Sequence, residues 1–179
     1  MAKDILIPLN ARDILAAIKE LEGYKRQLIA VQERIVKRLL DMGAEDIKTT
    51  LTGHTFTGAT IDSIDVKITQ KGDTIEGVLS VDSEAILFLE FGAGLVGYGH
   101  PRAAEFGYGP GTYPGSGNWD NPDGWVYPTS DPALIVKVDS NGQGWGFSKG
   151  TPPLMPMLKA SQLIERNILA VLTEELGLI

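Results

Sequence analysis

Leu28, Val31, Ile35, Leu39 and Met42 recur at steps of three and four residues, flanked by Ile29, Val36 and Leu40. This spacing writes a wide apolar face onto a helix, and a face that wide must pack on a sheet or on neighbouring subunits. Glu33, Lys37 and Arg38 place opposite charges at helical spacing on the exposed side. Gly43 reads as the stop, and Ala44 to Leu51 as a further short helix. Upstream, Asn10 reads as the N-cap of a helix carrying Ile14, Leu15, Ile18 and Leu21, with Gly23 as a kink or break. Ile5-Leu6-Ile7, closed by Pro8, reads as an edge strand or an arm. At the other end, Pro156 suits a first helical turn. A stripe of Met157, Ala160, Ser161, Ile164, Ile168, Val171 and Leu172 then runs towards Gly177.

Between these helices the period changes to two. Ile61, Ile64, Val66 and Ile68 lead to a Lys71-Gly72-Asp73 turn, and Thr74 to Val81 returns, which predicts an antiparallel hairpin. Leu134–Val138 and Gly144–Phe147, joined by Ser140-Asn141-Gly142, are expected to resume the same sheet. The expected fold class is therefore α+β: a small, mainly antiparallel sheet packed by a long N-terminal helix and a C-terminal helix. The 179 residues are read as a single domain.

Ser83 to Gly94 carries the apolar run Ala85, Ile86, Leu87, Phe88, Leu89 and Phe91, interrupted only by Glu90. Ser83 reads as an N-cap and Gly92 as the stop of one or two buried helical turns. A long Gly- and aromatic-rich loop insertion, 92–131, follows. Residues 92–124 hold ten of the 21 glycines, and 98–127 hold seven of the 13 aromatics: Tyr98, Phe106, Tyr108, Tyr113, Trp119, Trp125 and Tyr127. Aromatic richness argues against plain disorder. The loop either orders against a partner or folds over its own domain as a flap.

Charge narrows the function classes. Residues 1–50 hold nine Lys/Arg and eight Asp/Glu, whereas 51–179 hold seven against fifteen. The chain lacks the basic footprint that binding to phosphate backbones requires. With no cysteine, disulfides and thiolate chemistry are excluded, in keeping with a reducing compartment. No run approaches the roughly 20 apolar residues of a membrane span, and the first residues lack a signal-peptide core, so the product is expected to stay where it is made.

No catalytic constellation emerges. His54 and His100 are the only histidines, and both are assigned solvated or interface roles rather than that of a general base. No HExxH, phosphate loop or GxSxG elbow is present. Asp120-Asn121-Pro122-Asp123-Gly124 reads as a turn, because Pro122 occupies a slot where a calcium loop needs a side-chain oxygen. Glu90 either meets solvent or nearby amides, or pairs with a base such as Arg102 in the same or an adjacent subunit. No metal or cofactor is expected.

Phe88-Leu89-Glu90-Phe91-Gly92-Ala93-Gly94, following the long helix and hairpin, and Pro152-Pro153-Leu154-Met155-Pro156-Met157-Leu158-Lys159-Ala160, opening the last helix, occur in a telling order. This order resembles the tail-completion (head–tail joining, minor tail component) proteins of long-tailed bacteriophages and prophages, over roughly Asn10 to Leu172. Met155 and Met157 stand where that family commonly has aromatic or arginine residues, and the 92–131 insertion is longer than its usual link. The resemblance implies a structural, non-enzymatic virion protein of the head–tail neck. It would form a homo-oligomeric ring, expected to be a hexamer, between connector and tail tube, with DNA passing through without specific contacts. Alternatives are a tail terminator or tube-associated minor tail protein, a small hydrolase or toxin-like enzyme using a histidine, and a carbohydrate-binding module. The candidate interface residues are Phe88, Glu90, Phe91, Tyr98, Arg102, Tyr108, Tyr113, Trp119, Trp125, Tyr127, Met155 and Met157, with the Leu28–Met42 helix and the long loop as the two patches of a head-to-tail contact.

Overall fold

A computed structural model describes residues 10–54, 58–83, 85–93, 99–107 and 123–177. The architecture is α+β. Helix α1 (Ala11–Leu51) is followed by a single turn α2 (Ala59–Asp62), the hairpin β1 (Ile64–Lys71) and β2 (Thr74–Val81), and α3 (Ile86–Phe91). A 3-10 turn (Ala103–Phe106) precedes β3 (Trp125–Pro128), β4 (Lys137–Val138), β5 (Gly144–Ser148) and α4 (Pro156–Leu176). The Ile5–Ile7 arm, Thr55–Thr57 and Tyr98 lie outside the described residues, as do Tyr108, Tyr113 and Trp119 of the long loop.

Asn10 caps α1 as expected, its side chain accepting the Asp13 amide at 3.0 Å. The helix then runs unbroken through both glycines, so neither the break at Gly23 nor the stop at Gly43 occurs, and Ala44–Leu51 is no separate helix. A helical glycine costs about 1 kcal/mol against alanine, which flanking helix formers readily outweigh. Gly43 has a packing role instead. A Cβ there would stand 2.8 Å from Ile164 Cδ1 and 3.0 Å from Leu79 Cδ2, so its absence lets α4 and β2 close on the helix. Gly77 does the same from the sheet side, where a Cβ would sit 2.5 Å from Val36 Cγ1 and Leu40 Cδ1.

The buried row of α1 is Val31, Ile35, Leu39, Gly43, Ile47 and Leu51, one residue every four. This is a single i+4 ridge, inclined to the helix axis, so the core winds around α1 as it runs. Its upper part meets Val171, Ile164 and Leu172 of α4. The lower part, Ile47 and Leu51, is fully buried against Leu89, Ala160, Leu79 and Leu154. Each of these two side chains contributes about 1.5–3 kcal/mol by leaving water. Beyond the apolar contact, Arg34 and Arg38 grip the end of α4 through Glu175 (3.0 and 3.5 Å) and Glu174 (2.6 Å).

The hairpin pairs Ile64 with Val81 through to Lys71 with Thr74. Gly72, at φ 63°, supplies the positive dihedral that a two-residue connection requires. Ile61 belongs to α2 rather than to the first strand. The second correction concerns the sheet. β5 pairs with β3 on one edge and β4 on the other. Both its edges are filled from within the later strands and neither β3 nor β4 pairs with the hairpin, so these strands form a sheet of their own rather than resuming it. Leu134 is withheld from β4 because Asp131 organises a turn, accepting the Leu134 amide on its carbonyl and the Ala133 amide on its carboxylate. Trp125 and Tyr127, read in the sequence as loop aromatics, lie in β3 opposite Ser148 and Gly146. The Tyr127 ring covers Gly146, where a Cβ would fall 2.6 Å from Cζ. Among the described residues, no helix is long and apolar enough to cross a membrane.

Candidate functional site

The head of α4 cannot cap itself. Pro156 at its first position carries no amide hydrogen, so the first open donors are Met157 and Leu158. The N-cap residue, Met155, has no side-chain acceptor. Glu90, on the last turn of α3, supplies what is missing. Its Oε2 accepts the Met157 amide at 2.7 Å and its Oε1 the Leu158 amide at 3.0 Å. A carboxylate at a helix N-terminus also meets the positive end of the helix dipole.

His100 completes the joint. Its Nε2 lies 3.0 Å from Glu90 Oε1, and its Nδ1 accepts the Arg102 amide at 3.1 Å. Because Nδ1 must accept, the ring proton belongs on Nε2, and His100 donates it to Glu90. Phe91 shields the pair, its ring 4.5 Å from the imidazole and 5.9 Å from Phe106. Glu90 and His100 are 6% and 7% exposed, so the three donors on the carboxylate replace water almost entirely.

The backbone reinforces this arrangement. Leu89 O accepts the Leu154 amide at 2.8 Å and the Met155 amide at 3.3 Å. Ala93 and Thr151 exchange a pair of backbone bonds at 2.8 and 2.9 Å. Gly92 turns the chain away from α3 at φ 77°. Met155 is the one non-glycine residue at positive φ among those described (φ 58°, ψ 46°). Holding a methionine there costs about 1–2 kcal/mol, which the surrounding bonds must over-determine. The two quoted motifs, far apart in sequence, thus form one joint.

Both nitrogens of His100 and both oxygens of Glu90 are engaged by partners within the chain, three donors meeting the carboxylate. No group of three or more His, Asp or Glu side chains is placed to hold a metal among the described residues. Beside the joint runs an apolar groove of about 540 Å³, with Val81, Ile86, Leu87, Phe106, Met157 and Leu158 among its walls and Arg102 at its rim.

The sequence candidates distribute unevenly. Glu90 and Phe91 are buried within the chain, so their partners are α4 and the 99–107 segment. Glu90 is not paired with the Arg102 side chain. That guanidinium pairs with Glu105 at 2.8 Å and stands 5.2 Å over the Phe106 ring. Phe88, Met155 and Met157 are half-buried, as are Trp125 and Tyr127 in β3. Ser83 accepts the Ala85 amide on its hydroxyl as expected, but the residue capping α3 is Ala85. His54 is exposed, whereas His100 is buried rather than solvated. The role of His100 was the one missed. A lone carboxylate in an apolar run demands buried donors, and that requirement was the available signal. Comparisons with protein-family models, with curated proteins and with solved structures find no match for the chain.

Proposed function

We propose that the chain is a structural virion protein of the head–tail neck of a long-tailed phage, closing as a ring, expected to be a hexamer, between capsid connector and tail tube. The observation that carries this reading is the meeting of the two resemblance motifs. Residues 88–93 and Pro152–Ala160 come together at the Glu90 joint, where the glutamate of one motif caps the helix opened by the other. Two motifs far apart in the sequence thus serve one structural device in this chain. The acidic balance, net −7, suits a channel wall that lets DNA pass without retaining it.

Light scattering on the purified protein, paired with negative-stain images, tests the ring. Mixing with connector and tail-tube proteins tests the neck. Rings that bind either protein support the proposal, and failure to bind both overturns it.

A further inference from the structure

His100 serves two neighbours that need opposite things of it. Towards the body, its Nε2 lies 3.0 Å from Glu90 Oε1 and must donate. Towards the surface, its Nδ1 accepts the Arg102 amide at 3.1 Å. A neutral imidazole satisfies both, one nitrogen donating and the other accepting. An imidazolium cannot, because both of its nitrogens are donors. A second proton has only Nδ1 to occupy, and there it confronts the Arg102 amide, donor against donor.

The two bonds therefore respond to acid in opposite senses. A positive imidazolium donates to a carboxylate more strongly than a neutral imidazole does, so Nε2 tightens on Glu90 while the bond at Nδ1 is lost. Exposure decides which side gives way. His100 is 7% exposed, but Pro101, Arg102 and Ala104 to Gly107 are at the surface. Turning the Arg102 peptide outwards brings its amide to water without withdrawing the imidazole from the body. The turn beyond it holds itself together. Glu105 donates its amide to Arg102 O at 3.1 Å, Gly107 donates to Ala104 O at 3.2 Å, and the Arg102 guanidinium pairs with the Glu105 carboxylate. It meets the body through Phe106, whose ring stands 5.9 Å from Phe91 and walls the groove beside the joint.

We propose that His100 is an acid-operated latch. A proton on Nδ1 releases the Arg102 amide and frees the Ala103–Phe106 turn, while the imidazolium stays on Glu90 and the cap on α4 holds. Few charged groups surround the imidazole to complicate this. α3 presents Glu90, and the latch segment presents Arg102 and Glu105, already paired with each other. α4 and β2 line the adjoining groove with Met157, Leu158, Ser161 and Val81, none of them charged. The latched turn holds an imidazole with one proton and the released turn an imidazole with two, so falling pH favours release.

Amide hydrogen exchange on the full chain, read by NMR and corrected for the intrinsic rate at each pH, tests the latch. The span is about pH 7.5 to about pH 5.5, one unit either side of the roughly 6.5 at which a free imidazole gains its second proton. Fully linked release should lower the protection of the Arg102 amide about tenfold across it. The Met157 and Leu158 amides should keep theirs. His100→Gln retains a donor for Glu90 but does not titrate in this span, and should abolish the pH dependence at Arg102, whereas His54→Gln should leave it intact. If His100→Gln does not fold, the ring-nitrogen shifts of wild-type His100 take its place, and protonation at Nδ1 must track the loss of protection. Protection at Arg102 that stays constant or rises in acid overturns the latch. So does a fall that survives in His100→Gln or that runs ahead of protonation at Nδ1. A fall shared by Met157 and Leu158 overturns it too, because the joint itself would then be opening.

Discussion

Glu90→Gln isolates the electrostatic content of the joint with almost no change in volume. A carboxamide retains one acceptor oxygen. If that oxygen keeps the Leu158 amide and His100 Nε2, the new NH₂ confronts the Met157 amide, a donor against a donor. Two charge-assisted bonds become neutral, and charge assistance roughly doubles a bond's strength, so each loses about 1 kcal/mol. One buried amide is left unmade at about 1–3 kcal/mol. The expected cost is about 3–5 kcal/mol, a large share of the ~5–15 kcal/mol that stabilises a typical domain. Glu90→Ala should cost more, because it strands all three donors and opens a cavity. Urea unfolding followed by far-ultraviolet circular dichroism measures the total. Hydrogen exchange at Met157 and Leu158 locates it, since those amides should lose protection before the rest of α4. Pairing Glu90→Gln with His100→Ala in a double-mutant cycle should give a coupling of about 1 kcal/mol or more. A cost below about 0.5 kcal/mol, the range of an ordinary surface change, with unchanged exchange at both amides, would refute the capping argument.

The remaining expectations concern packing, strain and acid. Gly77→Ala should cost about 1–3 kcal/mol in urea melts, because its Cβ meets the stiff Val36 as well as Leu40. Gly43→Ala should be near neutral, since the gain of about 1 kcal/mol in helix propensity offsets contacts with the flexible ends of Ile164 and Leu79. At Met155, a β-branched residue is poorly suited to positive φ. Met155→Val should therefore unfold at lower denaturant than Met155→Asn, and the reverse order would count against a strained cap. Glu175 is held below the ordinary carboxylate value, first by its hydrogen bond from Arg34 and then by the charges of Arg34 and Arg38, against the opposing effect of burial. Its folded pKa is the lower one, so its stabilisation is complete above about pH 4.5 and fades as pH falls through the folded value. The stability gap between wild type and Glu175→Gln should accordingly shrink in acid; a gap that stayed constant would remove Glu175 from the account.

The helices and the hairpin were legible because each is a local pattern: a stripe at 3.6 residues, an alternation at two, a proline where a helix can start. Gly43 misled because a glycine that ends a helix and one that admits a neighbour look alike until Ile164 and Leu79 are in place. The separation of the two sheets depends on which edges are free, which no strand records in its own residues. At the joint, the sequence exposed the problem without its solution. Glu90 stood out as a carboxylate in an apolar run, and Pro156 marked the helix with open amides, but nothing in either stretch points to the other. His100 was harder still. Its place was fixed only by the fold of a glycine-bearing segment around Phe91.

The paired bonds between Ala93 and Thr151 have a consequence for everything strung between them. The chain between these two residues, which includes the β3–β5–β4 sheet, starts and ends at one doorway, so any connection within it is a loop whose outer ends are already joined. The entropy of closing such a loop grows only with the logarithm of its length, about 0.6 kcal/mol for each doubling. Within that span the stretch that returns His100 to Glu90 and the β3–β5–β4 sheet are packed, so the tolerance applies to the connections between them, such as the turn joining β4 to β5. The frame of α1, hairpin and α4 would stay the same while the surface it displays changes.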